Sequence, residues 1–545
     1  HVYLSTYAPT SSIITGRKDE GGSMKPFTPT KRDKILLVYP LQGGSGSFIR
    51  HIPLGLLYTS SKLVKHGVSV EIFDCRLNPR EWRKDLMDKI NKETLIVGIS
   101  VMTGTPVVQA SEISKMIKEN DPQTRVVWGG PHATFNPTSI LENEKYCDYV
   151  VNGYGNEVFY DLFQAIKAGK EPFNLPGIAL RNGPDIVASP RLEEFEHIKY
   201  KDIPYNLIPD YDVYGHVGHS NRTFSMYSSL GCPYLCTFCS SPAEYKEIPG
   251  KKWLPLDTQE IVDHVQYVVE EYKANFVYFI DDDSFVSLKH VEQIIDEITR
   301  RGLKIKLGFR GARINEIKKM SDSFLDKLIA AGTSIIHVGA ESGSDRILKL
   351  IKKDCTVEDI LECNRKLARH PKMKTLYNFM MGAPTETVEE LRATRDLMLA
   401  IVKDHPNSII GTPNRFRPLK NTQLYDLAIE NGYIPPSTAQ DWLEYEIESA
   451  SGTDSLPWIN NEMKKLMDLM LIGSYFIDGK ATKVATGNTP LEKIIRLIDK
   501  LYGPIGRWRL RNGNTRFLVE VPLYKLANSA SKSFTPSFGP KKHLV

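Results

Sequence analysis

The feature that most limits the fold is an alternation of apolar strand and amphipathic helix that the chain runs through twice. In the first series Ile35-Leu36-Leu37-Val38-Tyr39 is an unbroken run closed by Pro40 and the loop Gln42-Gly43-Gly44-Ser45-Gly46, and a helical stretch follows from Leu54 to His66. Further strand runs are Val68 to Phe73, Leu95 to Ser100, Thr124 to Trp128 and Tyr149 to Asn152, with helical segments at Val107 to Glu119 and Glu157 to Ala168. Apolar runs separated by helices predict a doubly wound parallel sheet covered on both faces. Such a sheet takes ligands in the crevice beyond its strand C-termini. The sequence has Gly98 to Thr105, Gly129-Gly130-Pro131-His132-Ala133-Thr134 and Gly153-Tyr154-Gly155-Asn156-Glu157 there. Glycine at these turns admits a large ligand to the backbone, although it also serves a bare turn, and no G-x-G-x-x-G indicates a dinucleotide.

The second series starts near Thr223. Its strand runs are Phe224 to Ser229, Phe276 to Ile280, Lys304 to Phe309, Ile335 to Ala340, Thr375 to Met381 and Ser408 to Arg415. Between them, Ile261, Val265, Val268, Val269 and Tyr272 line one helix face after the cap candidate Asp257, and Leu288, Val291, Ile294, Ile295 and Ile298 line another before Gly302. Six strands with intervening helices predict a partial α/β barrel whose chemistry sits at the strand C-terminal ends.

At about 150 residues per domain, 545 residues correspond to three or four domains. The expected division is 1–33 as an extension or tag, with Gly21-Gly22-Ser23-Met24 reading as a linker before an initiator methionine. An α/β domain at 34–170, a linker at 171–220, the barrel at 221–420 and a mainly helical cap at 421–545 follow. A net charge of +5 is too slight for a nucleic-acid coat, and 41% apolar with 25% charged residues is ordinary globular composition. No apolar run reaches the roughly 18 residues of a membrane span. Seven cysteines are too few for a disulfide scaffold, which leads to the expectation of a reducing cytoplasm.

Three of those cysteines fall in Gly231-Cys232-Pro233-Tyr234-Leu235-Cys236-Thr237-Phe238-Cys239, just after the first barrel strand, while Cys75, Cys147, Cys355 and Cys363 are scattered. Three soft thiolates suit an iron–sulfur cluster or zinc, and no fourth Cys or nearby His closes a tetrahedral zinc site. A three-cysteine [4Fe–4S] cluster leaves one iron open to a further ligand. Other barrel ends carry polar groups. Asp281-Asp282-Asp283 follows the second strand, where carboxylates accept charge-assisted bonds or merely cap a helix. Arg310 and Arg313 follow the third and are suited to pair with a ligand carboxylate or to bridge structurally.

The spacing Cys-x-x-x-Cys-x-x-Cys, with Phe238 immediately before the third cysteine, resembles the motif of the radical S-adenosylmethionine (SAM) superfamily. The resemblance implies that Cys232, Cys236 and Cys239 ligate the cluster, whose open iron holds SAM and cleaves it reductively to a 5′-deoxyadenosyl radical. It also implies SAM contacts from Phe238, from Asp281, Asp282 and Asp283 toward the ammonium, and from Arg310. Glu341 and Ser342 in Gly339-Ala340-Glu341-Ser342-Gly343-Ser344 would meet the ribose and methionyl part, and Gly382 and Pro384 in Gly382-Ala383-Pro384-Thr385-Glu386 the adenine.

An open α/β domain directly before such a barrel, with Pro53-Leu54-Gly55-Leu56-Leu57-Tyr58, Val97-Gly98-Ile99-Ser100, the Gly129 segment and Val151-Asn152-Gly153, resembles the cobalamin-binding domain of class B radical SAM methylases. The likeness covers about residues 34 to 420. Cobalamin contacts are then implied at Leu41, Gln42, Gly43, Ser100, Met102, Thr103, Thr105, Gly129, Gly130, His132, Gly153, Tyr154 and Gly155. The Asp-x-His-x-x-Gly segment that gives a histidine to cobalt elsewhere is absent, so base-off cobalamin with no histidine below cobalt is implied, with Leu41-Gln42 or Met102-Thr103-Gly104-Thr105 the nearest groups. A Gly-Glu-Gly-Glu often found after the last strand is here Gly153-Tyr154-Gly155-Asn156-Glu157, a departure.

The implied reaction is methylation of an unactivated carbon through the deoxyadenosyl radical and methylcobalamin, with two SAM consumed per turnover. The alternatives are a cyclisation, ring contraction or oxidation using the same cofactors without methyl transfer, or a non-enzymatic corrinoid carrier. The implied partners are a small metabolite, lipid or peptide substrate and an electron donor such as flavodoxin or ferredoxin, with no nucleic acid. In the last 125 residues, Asn421 to Gly432, Asn461 to Ile477 and Pro490 to Tyr502 read as helices. Arg507, Trp508, Arg509, Arg511 and Arg516 form a basic, aromatic stretch suited to an anionic substrate, a lipid surface, a peptide or plain solvent.

Overall fold

A computed structural model describes residues 30–42, 49–191, 194–216, 220–246, 248–445, 456–479, 490–516, 518 and 520–522. The first sheet has seven strands in the order Val70–Asp74, Lys34–Tyr39, Thr94–Ser100, Arg125–Gly129, Tyr149–Val151, Ile178–Asn182 and Asp185–Ala188. The first five are parallel; the last two join antiparallel. Side chains alternate across this sheet as a pleat requires. Leu36 and Val38 pack with Val97, Ile99, Val126 and Trp128 on one face, and Ile35 and Leu37 with Ile96 and Val127 on the other. Helices Thr105–Asn120 and Asn156–Lys167 cover the sheet, which explains why its central strands carry no polar face.

Residues 178–188 therefore belong to the first sheet and not to a linker. Gly183, at a φ of 61°, makes the tight turn between the two edge strands, and a short hairpin carries too little apolar periodicity to read as sheet from sequence.

The second sheet is parallel throughout, in the order Thr223–Met226, Phe276–Phe279, Lys306–Ala312, Thr333–Glu341, Lys374–Met381 and Ser408–Ile410. Asn414–Arg415 pairs separately with the Lys374–Met381 strand, so the predicted run Ser408 to Arg415 is broken in two. Helix Thr258–Tyr272 starts where Asp257 Oδ1 accepts from the Glu260 amide at 2.9 Å and buries Ile261, Val262, Val265 and Val268. Helix Leu288–Arg300 buries Val291, Ile294, Ile295 and Ile298, a spacing that presents one continuous stripe to the sheet. The strands and their outer helices make a six-stranded partial barrel.

The first barrel strand ends at Met226, before the predicted Ser229. Buried Asp281 accepts from the Ser228 amide at 2.7 Å, the Ser228 hydroxyl at 2.6 Å and the Ser229 amide at 2.9 Å, which turns the chain out of the sheet. Ser229–Gly231 then pairs antiparallel with Trp253–Pro255, so the cysteine loop hangs from a two-stranded ribbon. The two α/β units share one core, because Ile52, Leu54 and Leu57 of the first pack in the same cluster as Phe224 and Met226 of the second. Helices Gln423–Glu430, Asn461–Ile477 and Pro490–Asn512 follow the barrel. Among the described residues, no helix is long and apolar enough to cross a membrane.

Candidate active site

Cys232, Cys236 and Cys239 lie together on the loop beyond the ribbon, each partly accessible. Burial pushes the thiols of Cys232 and Cys239 above their ordinary range, and the neighbouring Cys239 adds to the rise at Cys232 as Cys236 does at Cys239. Among the described residues, no three His, Cys, Asp or Glu side chains close about a point as they would around a single ion. The donor set is all sulfur, and soft thiolates on a loop suit a polynuclear iron–sulfur group.

The third barrel strand supplies a cation to this loop. Arg313 Nη1 donates to Cys236 Sγ at 2.8 Å, Nη2 donates to the Lys353 carbonyl at 2.6 Å, and the guanidinium lies 4.1 Å from the Tyr234 ring centre. Glu316 completes the group by accepting from the Tyr234 hydroxyl at 2.6 Å and from the Arg313 amide at 3.0 Å. The sequence leaves Arg313 to pair with a ligand carboxylate or to bridge structurally; here its Nη2 also lies 3.5 Å from Asp354 Oδ2, a bridge within the protein, beside the bond to the Cys236 thiol. Arg310, in contrast, is exposed, and its carbonyl accepts from the Ser284 hydroxyl at 2.6 Å.

The three acids after the second strand have separate roles. Asp281 is consumed in holding Ser228 and Ser229, and burial pushes its carboxyl up to about 6. Asp283 is buried beside Glu316, and desolvation with that neighbouring carboxylate pushes it well above the usual range. Only Asp282 is exposed, accepting from the Tyr245 hydroxyl at 2.6 Å. Two of the three predicted SAM contacts are thus occupied by the protein itself, because a buried carboxylate needs donors close at hand.

Glu341 sits at a left-handed φ of 63° where the fourth strand ends, and Lys353 Nζ lies 2.8 Å from its Oε1. Ser342 is buried; its hydroxyl is 3.3 Å from Thr394 Oγ1 and accepts from the Ser344 amide at 3.1 Å, so it pins the turn. Gly382 and Ala383 donate their amides to Glu386 Oε2 at 2.5 and 3.1 Å, and the Gly382 carbonyl accepts from Trp458 Nε1 at 3.1 Å. Pro384 is buried, and Phe238 is half-buried against the barrel core. Trp458 was not identifiable as part of this turn, since it arrives from the C-terminal region.

At the C-terminal edge of the first sheet, the turns after three strands form the crevice. Gly130 has a φ of 91°, and a Cβ there would come within 3.1 Å of the Val101 amide nitrogen, so glycine is what lets this turn pack against the Val101 backbone. Gly129, Gly153 and Gly155 are half-exposed, and Met102 projects outward at 42% exposure. The Thr105 hydroxyl is buried without a hydrogen-bond partner, an acceptor and donor left for something the crevice holds. Thr103 Oγ1 is 3.2 Å from His132 Nδ1. His132 is buried edge-on to Trp442, 4.5 Å between ring centres, and burial pushes it down to about 3, so it is a neutral, packed ring. Leu41 donates its amide to Gln109 at 2.5 Å, Gln42 donates to the Pro40 carbonyl at 3.3 Å, and Ser100 is half-buried. Gly43 lies outside the described residues. Half-exposed glycine turns with an orphan hydroxyl fit a large, polar-edged ligand such as a corrinoid.

The crevice and the barrel mouth are neighbours. The Tyr154 hydroxyl is held above its ordinary range by burial and by the charges of Glu244 and Asp282 from the barrel side. Tyr58 and Tyr227 meet across the same boundary, 6.2 Å between ring centres. Burial and Asp282 push Glu244 up to about 7.

Comparison with known proteins agrees with this geometry. Residues 226–398 match the radical SAM superfamily and residues 49–163 match the B12 binding domain. An uncharacterized methyltransferase of Pyrococcus horikoshii is 28% identical over 420 residues, 76% of this chain and 86% of that protein. The anaerobic magnesium-protoporphyrin IX monomethyl ester cyclase of Cereibacter sphaeroides is 26% identical over 71% of this chain and 63% of its own length. Among solved structures, the radical SAM methyltransferase TsrM of Kitasatospora setae, with cobalamin and a [4Fe–4S] cluster bound, superposes with a TM-score of 0.58 at 20% identity, over 74% of this chain and 76% of that one, which shows a shared fold. With a B12 domain and a radical SAM barrel set crevice to mouth, the chain belongs to the cobalamin-dependent radical SAM enzymes, whose cofactors are a [4Fe–4S] cluster, SAM and cobalamin.

Proposed function

We propose that this enzyme methylates an unactivated carbon of its substrate. The cluster with SAM supplies a carbon-centred radical when bound, and cobalamin supplies the methyl group. The observation that carries the reading is the contact of Tyr58, from the first α/β unit, with Tyr227, from the barrel, 6.2 Å between ring centres; with crevice and mouth this near, a substrate between them would meet both cofactors. Cys232, Cys236 and Cys239 would hold the cluster, with Arg313 keeping Cys236 in place and its negative charge compensated. Asp282 is the carboxylate best placed to accept from the SAM ammonium, and Tyr245 orients it. The Gly382 turn, fixed by Glu386 and Trp458, would lie along the adenine. The Thr105 hydroxyl would hold a polar edge of the corrinoid. The protein's own contribution is position and exclusion of water.

The likeness to a cyclase favours a second reading, in which the same cofactors close or oxidise a ring without methyl transfer. Anaerobic reconstitution with iron, sulfide and cobalamin, followed by mass analysis of SAM-derived products against candidate metabolites, lipids and peptides, separates the two. Methylation gives one 5′-deoxyadenosine and one S-adenosylhomocysteine for each methyl gained by the acceptor. Product with deoxyadenosine alone would establish the second reading.

A further inference from the structure

The Pro490–Asn512 helix has two unlike faces. One packs on the Asn461–Ile477 helix, where Leu510, Gly503 and Gly506 are buried and the Tyr502 ring meets Phe476 edge-on, 5.3 Å between centres. The other carries Leu497, Ile498, Leu501, Ile505 and Trp508, exposed at 54, 49, 68, 49 and 54%. At 3.6 residues per turn these five fall within an arc of about 100°, a single stripe along the helix. They are five of the eleven exposed large hydrophobic side chains among the described residues, so outward apolar surface is concentrated here.

Charge defines what such a stripe fits. Lys493, Lys500 and Arg511 are exposed along one flank of it, and Arg496 and Arg507 lie half-buried behind them. The Pro490–Asn512 helix carries six basic side chains against two acids, Glu492 and the buried Asp499, a net charge of +4 beside the +5 of the entire chain. A second copy would set equal positive charge against it, which opposes self-association through this face. Apolar side chains beside lysine and arginine, with tryptophan at one end, match the boundary between acyl chains and phosphate headgroups. The helix is not apolar enough to span.

We infer that this face seats the enzyme on an anionic bilayer, the stripe sinking into the acyl boundary and the basic flank meeting lipid phosphates. The inference is independent of the methylation reading, since it concerns only the outer face of one helix.

The test is sedimentation of the full-length, cofactor-loaded chain with vesicles of phosphatidylcholine alone or mixed with phosphatidylglycerol. Binding to the anionic vesicles is expected, falling with added salt and weakened about tenfold in Leu501→Glu, in Trp508→Glu and in the double change Lys493→Glu with Lys500→Glu. Ile434→Glu, at an 82% exposed apolar position elsewhere, should bind as the parent does. The substituted positions are exposed, so unchanged circular dichroism should accompany the loss. Failure of the parent to bind, binding indifferent to these changes, or a lipid-free dimer that Leu501→Glu dissociates would overturn the inference.

Discussion

Glu386 shows how a single buried group ties the site to pH. Its Oε2 accepts the Gly382 and Ala383 amides while its Oε1 has no partner, and burial raises its carboxyl from 4.5 to about 7. The folded protein therefore holds this proton more tightly than the unfolded chain. Between pH 4.5 and about 7 the unfolded state releases a proton that the native state keeps, so stability declines as pH rises through that window. Glu386→Gln should remove the decline. The difference between parent and variant in urea unfolding should change by about 3 kcal/mol across the window, in favour of the variant at high pH. An unchanged pH dependence would show that this carboxyl is ionised in the fold. Arg313 makes a related point: a side chain suited by type to a carboxylate gives its shortest bonds to Cys236 and the Lys353 carbonyl, with the Asp354 carboxylate farther off at 3.5 Å, because packing sets which acceptors lie nearest.

At the scale of elements, the acid turn after the second barrel strand depends on the bend in the third. Gly311 has a φ of 73°, and a Cβ there would lie 2.5 Å from the Asp282 carbonyl oxygen and 2.9 Å from Asp283 Cα. Both neighbours are backbone, so the loop itself must shift. Gly311→Ala should cost about 3 kcal/mol from left-handed strain and crowding together. It should also lower SAM cleavage, because Asp282 rides on the displaced segment. Thermal melting and deoxyadenosine formation measure the two effects, and full activity in a folded variant would separate the turn from SAM. The strands themselves follow the apolar runs closely, since helices cover both faces of the first sheet and the outer face of the barrel. Their ends follow polar contacts from elsewhere, as Asp281 ends the first barrel strand at Met226.

For the whole molecule, the shared core makes the two α/β units one folding unit. Leu57 is fully buried among barrel residues, and buried Tyr214 donates to Asp74 at 3.0 Å across the same boundary. Leu57→Ala should cost about 3 kcal/mol. Unfolding followed at the corrinoid and iron–sulfur absorption bands should move by the same amount in denaturant, with one midpoint for both. Separate midpoints would mean that the units open independently and that the meeting of crevice and mouth is a loose one.

What the chain's order of residues determined is the local chemistry: two rounds of strand and helix, a triplet of thiols on one loop, glycines at the strand ends, and helix caps such as Asp257. These depend on spacing within a few residues, which backbone periodicity converts directly into shared faces and shared turns. The partners of each polar group were decided only by folding. Cys236 with Arg313, Gly382 with Trp458, His132 with Trp442 and Tyr245 with Asp282 join positions far apart in the chain. A buried polar group takes whichever donor or acceptor packing brings within about 3 Å, and no local pattern encodes that proximity.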